Sequence, residues 1–297
     1  MKLIKKKFSF LKLFCYAAAL IFALFCLFPF VMVVSGSLST EADTLKYGYS
    51  LIPAHINFMA YKVMFLTAHK ILNAYRITIT VTVIGTAASL FINTLAGYSL
   101  SLKRLKYRNI VSVYTLLTIL FSGGMVPWYI VCVRYLHLRD NILALIVPYL
   151  ANAWYIFLMR NFMKTIPDEM SESAKLDGAK ELTIFLRIIL PLSKPALATV
   201  GLFIALGYWN DWWLGLMLIN NQDKQPLQMM LRIIVSNIEF VRSQINNSAE
   251  LQRIINDIPS EGVRMAVSIV TIGPVILFYP FVQKYFVKGI MVGAVKA

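Results

Sequence analysis

Residues 16–25 read Tyr-Ala-Ala-Ala-Leu-Ile-Phe-Ala-Leu-Phe and lie within a longer apolar run, residues 12–35. A helix needs about 20 residues to cross the hydrocarbon core of a bilayer, and this run is longer than that. A strand of a membrane β-barrel would instead alternate apolar and polar residues over about 10 positions. The run does not alternate, so it predicts a membrane-spanning α-helix.

Five further apolar runs of similar length follow along the chain. They lie near 75–102, 109–133, 141–163, 191–218 and 263–287. The whole chain is 59% hydrophobic and 14% charged, and its mean hydropathy is +0.68. A soluble globule of 297 residues could not bury that much apolar surface. We therefore predict an all-α transmembrane protein with six spans in one transmembrane domain, residues 1–297.

Basic residues predict the orientation of these spans. Four short segments hold 18 of the 29 Lys and Arg residues but 5 of the 14 Asp and Glu residues. These segments are 2–12, 103–108, 160–194 and 284–296. Short loops rich in Lys and Arg stay on the cytoplasmic side, so both termini should be cytoplasmic. Residues 36–74 and 219–262 should then form external caps. The net charge of +15 comes largely from these predicted cytoplasmic segments, and this distribution disfavours a nucleic-acid-binding face.

Several sequence patterns that carry chemistry are missing from this chain. It has no Gly-x-x-x-x-Gly-Lys-Ser/Thr loop for a nucleotide, no His-Glu-x-x-His for a metal and no Gly-x-Ser-x-Gly for a nucleophile. We therefore expect no catalytic residues, no metal site and no cofactor on the chain itself. A partner must supply any energy that is used.

The segment between the fourth and fifth spans, residues 164–190, has the pattern of two short helices. Residues 166–182 read Ile-Pro-Asp-Glu-Met-Ser-Glu-Ser-Ala-Lys-Leu-Asp-Gly-Ala-Lys-Glu-Leu. Pro167 and the two acidic residues after it favour a helix start, and Gly178 can stop that helix in a left-handed conformation. The first helix should present a narrow apolar face to a partner's groove. Its members are Met170, Ala174 and Leu176 or Asp177.

The same segment resembles the EAA motif of ABC importer permeases, E-A-A-x3-G-x9-I-x-L-P. Here Glu172-Ser173-Ala174 is followed after three residues by Gly178, and after nine more by Ile188-x-Leu190-Pro191. Ser173 stands where the motif usually has Ala. The resemblance implies coupling helices that dock on an ABC ATPase dimer. It assigns that role to Glu172, Ser173, Ala174, Asp177, Gly178, Ile188, Leu190 and Pro191. An ordinary connecting loop is the alternative.

Three other stretches are similar to the carbohydrate-uptake branch of these permeases, the MalG-like and LplC-like group. They are Phe121-Ser-Gly-Gly-Met-Val-Pro-Trp-Tyr, Tyr208-Trp-Asn-Asp-Trp-Trp and Gln283-Lys-Tyr-Phe-Val-Lys-Gly-Ile-Met-Val-Gly-Ala-Val-Lys. The resemblance implies the six-helix type I importer permease fold in a bacterial inner membrane. It also implies three protein partners: a second, MalF-like permease subunit, an ATPase dimer that holds ATP and Mg, and an extracytoplasmic sugar-binding protein that meets the external caps.

The fifth span carries a candidate substrate pathway. Its members are Trp209, Asn210, Asp211 and Trp212. Aromatic rings can stack on the C–H faces of sugars, and amide or carboxylate groups can bond sugar hydroxyls. An acidic residue inside a span is costly, so Asp211 should face a cavity or a partner. An aromatic belt at the membrane interface and a structural hydrogen bond between subunits remain as alternatives.

The predicted function is import of oligosaccharides by ATP-driven alternating access, with this chain forming half of the pathway. Uronate-containing fragments of polysaccharides are one class of cargo that the resemblance suggests. An amino-acid or peptide permease is the nearest alternative. A stand-alone secondary transporter would need its own ion site or inverted repeats, and a membrane-embedded enzyme would need a catalytic constellation.

Overall fold

The computed structural model describes residues 10–65, 68–245, 261–274 and 276. Several predicted features therefore lie outside the described residues. They are residues 2–9 of the basic segment 2–12, the end of the second cap at 246–260, about half of the sixth predicted span and the C-terminal run that begins at Gln283.

Every regular element within those ranges is helical. The α-helices are α1 (Phe10–Ser37), α2 (Glu41–Tyr47), α3 (Met59–Phe65), α4 (Ala68–Ser101), α5 (Arg108–Leu120), α6 (Met125–Ile130), α7 (Ala153–Met163), α8 (Asp168–Leu176), α9 (Glu181–Ile184), α10 (Leu190–Leu192), α11 (Lys194–Trp209), α12 (Trp213–Leu218), α13 (Leu227–Ile245) and α14 (261–274). Short 3-10 turns cover Ile142–Leu145, Val147–Tyr149 and Gln222–Lys224, and π-helical turns cover Val131–Tyr135 and Phe185–Ile189.

The chain divides into two compact units. The first comprises Met1–Ala68 and Ile233–Gly273, and the second comprises His69–Arg232 and Pro274–Ala297. In the first unit, Glu41 accepts a hydrogen bond from the backbone N–H of Glu261, and a side chain at Gly36 would collide with Met265. Contacts of this kind join the first cap to the start of α14.

Two described helices are long and apolar enough to cross a membrane without interruption. One is Lys12–Ser37 in α1, with a mean hydropathy of 2.8, and the other is His69–Ser101 in α4, with 1.7. A straight helix of the 28 residues in α1 is about 42 Å long, which exceeds the hydrocarbon thickness. Large side chains along α1 are exposed on the chain's own surface, such as Phe25 at 75%.

Three further candidate spans are bent helix pairs among the described residues, and the third of them begins at Glu181, within the predicted 164–190 loop. The axes of the paired segments bend by 112° between Arg108–Leu120 and Met125–Tyr135, by 50° between Ile142–Tyr149 and Ala153–Met163, and by 82° between Glu181–Leu192 and Lys194–Trp209. The sharpest bend has a clear local cause, because Phe121 is extended and Gly124 has a φ of +84°. Counting each bent pair as one span gives up to five spans in the described chain.

A buried amide stabilises the second of these breaks. Asn93 on α4 is fully buried, and its Nδ2 donates to the backbone oxygen of Leu150 at 2.9 Å. Its Oδ1 accepts from the backbone N–H of Asn152 at 2.9 Å. A helix break inside a bilayer leaves backbone groups that water cannot satisfy, so a side chain must do so. Asn93 supplies both partners and thereby fixes the start of α7.

The core of the second unit lies where α4, α7 and α11 meet the segment 181–189. Met159, Ile184 and Phe185 are each 0% exposed. A Cβ at Gly97 of α4 would lie 2.9 Å from both the Ile156 oxygen and the Arg160 nitrogen of α7. Glycine is therefore required for this close helix crossing, as is common between membrane helices.

Candidate functional site

The 164–190 loop folds as the two predicted helices, α8 and α9. Asp168 and Glu169 lie in the first turn of α8, where their negative charges interact favourably with the positive end of the helix dipole. Gly178 has a φ of +77° and ends the helix, as predicted. Its N–H donates to the Lys175 oxygen, and the N–H of Ala179 donates to the Ala174 oxygen, both at 2.9 Å. This pair of bonds is the Schellman arrangement, which favours glycine at the left-handed position.

The predicted coupling residues divide between an exposed group and a group that faces the core. Glu172, Ser173, Asp177, Gly178 and Pro191 are exposed. Ala174, Ile188 and Leu190 are half-buried and pack against the hydrophobic core. The predicted apolar face of α8 is therefore split. Its Ala174 faces the protein, whereas Met170 is 45% exposed and Leu176 is 90% exposed.

A cluster of polar side chains ties this loop to α4 and to the turn after it. Glu181 accepts a hydrogen bond from the Tyr98 hydroxyl at 2.6 Å and pairs with Arg104. The Lys175 ammonium lies 3.9 Å from the same carboxylate. Glu181 therefore joins the end of α8, the start of α9 and the end of α4.

A second ion pair anchors the start of α8. Lys103 donates to Asp168 at 2.8 Å. This contact raises the pKa of the Lys103 ammonium above its ordinary value of 10.5, because the carboxylate stabilises the charged form. Both side chains are largely exposed, so the pair orients the helix more than it stabilises the fold.

Beneath Glu181 the loop is held by aromatic packing. The Tyr98 ring is 4% exposed, and its centroid lies 5.2 Å from that of Phe185. Phe185 lies in the π-helical turn that leads into α10. The far side of the loop is thus fixed in the core while the outer face of α8 has no cover from the described residues.

A second site lies at the other end of α11. This helix ends at Trp209, and α12 begins at Trp213, so the backbone is not helical at Asn210–Trp212. We call these three residues the 210–212 break. A 16-residue helix is about 24 Å long, so α11 separates the break from the end of the 164–190 loop by roughly that distance.

Asp211 accepts hydrogen bonds from groups on one side of this break. Its Oδ2 accepts from the backbone N–H of Leu214 at 3.2 Å, in the first turn of α12. Its Oδ1 accepts from the Tyr149 hydroxyl at 3.2 Å. The carboxylate thus caps a helix and bonds a side chain that is 40% exposed. Asp211 is therefore hydrogen-bonded within its own unit, and its place in a substrate pathway stays a prediction.

The residue before the break is packed very closely against α4. The Tyr208 hydroxyl donates to the Ile146 oxygen at 3.0 Å, and its ring lies 6.2 Å from that of Tyr149. A Cβ at Gly85 would be 2.7 Å from the Tyr208 ring. Gly85 therefore lets the tyrosine reach Ile146, and the tyrosine in turn supports Tyr149 beside Asp211.

Two side chains of α13 cover the outer part of the break. The Arg232 guanidinium carbon lies 3.7 Å from the centroid of the Trp212 ring. Gln228 Nε2 donates to Asn210 Oδ1 at 3.3 Å. Residues four apart lie on the same face of a helix, so one face of α13 meets Asn210 and Trp212. Trp209 lies beside this group, with its ring centroid 6.4 Å from that of Tyr75.

The break therefore combines indole and phenol rings with a carboxylate, two amides and a guanidinium. Such groups can stack on sugar rings and bond hydroxyl or carboxylate oxygens. Within the described residues, no three His, Cys, Asp or Glu side chains lie close enough together to hold a metal ion.

Sequence reasoning did not find several residues of these two sites. They are Tyr98, Glu181, Tyr149, Gln228 and Arg232. Glu181 and Tyr98 are 83 positions apart, and Arg232 lies 20 positions after Trp212 in a different helix. The one local signal was the 3.6-residue period of α13, which places Gln228 and Arg232 on the face opposite to much of its apolar stripe.

Comparison with known proteins agrees with this architecture. Residues 95–292 match the family model described as the inner membrane component of binding-protein-dependent transport systems. The chain is 39% identical over 281 residues to the polygalacturonan/rhamnogalacturonan transport system permease protein YtcP of Bacillus subtilis, covering 95% of this chain and 96% of that protein. It is 38% identical to the protein LplC of the same organism, covering 90% and 88%.

A solved structure is also similar over nearly the full chain. It is the crystal structure of a bacterial ABC transporter involved in the import of the acidic polysaccharide alginate. The TM-score is 0.77 at 31% identity, and the match covers 96% of this chain and 100% of the other.

These matches confirm the all-α type I importer permease fold that the sequence predicted. They also confirm that the chain is a transport subunit rather than an enzyme, since ATP hydrolysis in such systems belongs to separate subunits. A permease of this type works with an ABC ATPase and a substrate-binding protein. The chain belongs to the family of inner membrane components of binding-protein-dependent transport systems, as one of its sugar permeases.

Proposed function

We propose that this chain forms half of the membrane pathway through which an ABC importer takes up oligosaccharides. The observation that carries this proposal is the 210–212 break, where Trp209, Asn210 and Trp212 combine stacking surfaces with hydrogen-bonding groups. The cargo class follows from the names of two relatives, which transport polygalacturonan or rhamnogalacturonan and alginate. A second, related permease supplies the other half.

The 164–190 loop is the part that we propose to receive the force of ATP hydrolysis. Its α8 presents Glu172, Ser173 and Leu176 outward, on the face where a docked ATPase would cover them. ATP and Mg bind in that partner ATPase. Because the segment continues through Phe185 into α11, movement of α8 can be passed to the 210–212 break.

The proposed orientation puts the 164–190 loop and both termini in the cytoplasm. The caps at 36–74 and 219–262 then lie outside, where they can meet the sugar-binding protein. The excess of basic residues in the four predicted cytoplasmic segments supports this direction.

The test is ATPase activity of the reconstituted complex with its binding protein, with and without candidate oligosaccharides. We expect stimulation by the transported sugar in the wild type and its loss in Gly178→Asp. A Cβ at Gly178 would meet nothing within 4 Å, so the new side chain projects outward into the docking surface. Aspartate also tolerates a positive φ better than most residues, which limits damage to the helix end.

Gly178→Asn is the matched control, because it adds a side chain of the same size at the same positive φ without the negative charge. The control should still co-purify with the ATPase. Undiminished sugar-stimulated hydrolysis in Gly178→Asp would show that the 164–190 loop is not the coupling element. A wild-type complex that no oligosaccharide stimulates would rule out the proposed cargo.

A further inference from the structure

Arg232 has an unusual environment for an exposed arginine. Its guanidinium lies over the indole of Trp212, with the guanidinium carbon 3.7 Å from the ring centroid. Stacking of this kind uses the face of the guanidinium and leaves the N–H groups around its edge available. The arginine is therefore held in place without its hydrogen-bonding capacity being used.

Arg232 is not the counter-ion of Asp211. Among the described residues no carboxylate lies within ion-pair distance of its guanidinium, although Asp211 adjoins the tryptophan on which it stacks. The two oxygens of Asp211 are bonded by the Tyr149 hydroxyl and the Leu214 N–H. Asp211 in the break thus has two hydrogen-bond donors, whereas no carboxylate among the described residues pairs with the Arg232 guanidinium beside it.

The neighbours of Arg232 make it part of a built surface. One turn earlier on the same face of α13, Gln228 bonds Asn210. On the other side of Asn210 the rings of Trp209 and Tyr75 are half-buried and lie at 52° to each other. The break and the residues beside it thus offer aromatic rings, the Gln228 amide and the Arg232 guanidinium on neighbouring residues.

We propose that Arg232 is the residue that selects acidic sugars, by binding the carboxylate of a uronate unit at the 210–212 break. A guanidinium edge matches the two oxygens of a carboxylate and can donate two parallel hydrogen bonds to them. Partial withdrawal from water beside Trp212 strengthens that pairing. A neutral hexose offers no such group. This inference rests on the proposed function, since it assumes that oligosaccharides pass the break.

The test compares trigalacturonate with its fully methyl-esterified form, which has the same rings but no charge. Equilibrium dialysis with the complete permease–ATPase complex in nanodiscs gives the two dissociation constants. We expect the wild type to prefer the acid, and Arg232→Gln to lose about 10- to 100-fold in affinity for the acid while its affinity for the ester is unchanged. Arg232→Lys, which keeps the charge but not the planar edge, should fall between them.

Arg134→Gln is the matched control. Arg134 is an exposed arginine of the same unit that makes no hydrogen bond, ion pair or ring contact within the described residues. Its replacement should leave the acid-to-ester ratio unchanged. A ratio that falls equally in both variants would mean that general surface charge attracts the acid, and would overturn the role of Arg232.

Uptake by proteoliposomes with the full complex and its binding protein separates the two possible failures. If oligosaccharides are taken up but Arg232→Gln keeps the wild-type preference, the inference about Arg232 is wrong and the proposed function stands. If neither trimer nor any other oligosaccharide is taken up, the proposed function is wrong and the inference falls with it.

Discussion

Single polar residues in the apolar helices stabilise the points where a span is interrupted. Asn93 and Asp211 are the clearest cases, and each bonds backbone groups that a helix interruption would leave unpaired. Water normally satisfies such groups at a loop, but it is absent from the bilayer core. These residues therefore stabilise interrupted helices at positions where an apolar residue would favour a different structure.

Asn93→Leu should destabilise the complex for this reason. The substitution leaves the Leu150 oxygen and the Asn152 N–H without their present partner, at an expected cost of about 1–3 kcal/mol. The measurement is the thermal unfolding midpoint of the detergent-solubilised complex. Asn161→Leu, at an exposed position on α7, is the control and should have little effect. Equal shifts for the two variants would mean that Asn93 does not hold the break.

At the scale of elements, the short helices α8 and α9 depend on α4 for their position. Glu181 collects contacts from Tyr98, Arg104 and Lys175, which lie on three different segments. The contact with Tyr98 is the best protected of these, since that side chain is buried. It is also the contact through which movement of α8 and α9 would reach the long helix α4.

Tyr98→Phe removes the hydroxyl that bonds Glu181 and should weaken this link. A hydrogen bond to a charged acceptor contributes about 1.5–3 kcal/mol, and the partial exposure of Glu181 reduces the expected loss to about 1 kcal/mol. The thermal unfolding midpoint and the sugar-stimulated ATPase activity of the same samples should both decrease. Tyr107→Phe is the control, because the Tyr107 side chain is exposed.

A double variant tests whether the two groups act together. If Tyr98 stabilises the loop through Glu181, the hydroxyl should contribute little once Glu181→Gln has been made. Fully additive losses in unfolding temperature would contradict that link.

For the whole molecule, the testable property is the side of the membrane on which each end of the second unit lies. Ser173 precedes α11 and Gln222 follows α12, and both are exposed. In a variant without Cys15, Cys26 and Cys132, we expect Ser173→Cys to react with a membrane-impermeant maleimide in inside-out vesicles that hold the permease without its ATPase. We expect Gln222→Cys to react in right-side-out vesicles.

Each of these two cysteines is the control for the other, since a leaky preparation would label both. Labelling of Ser173→Cys from the outside would reverse the proposed orientation. The ATPase could not then dock on the 164–190 loop, because it works in the cytoplasm.

Much of this architecture was predictable from local sequence. The apolar runs predicted the long helices α1 and α4, since a run of about 20 apolar residues has no stable alternative in lipid. The spacing around Gly178 predicted where α8 ends, because only a left-handed residue allows that helix stop. The sharpest break falls at Gly123 and Gly124, but local sequence did not show that the bend would reach 112°.

Only the tertiary structure decided which of the predicted residues act together. Sequence placed Trp209, Asn210, Asp211 and Trp212 in a candidate pathway, but Arg232 and Gln228 joined them because α13 packs its first turns over the break. Likewise, the motif of the 164–190 loop could be recognised in the sequence. Which residues of that loop face outward and which face the core depended on packing against Tyr98 and Phe185. Hydrophobic length and backbone sterics act on neighbouring residues and can be read along the chain. Ion pairs, ring contacts and close glycine crossings join distant residues, and they exist once the helices have packed.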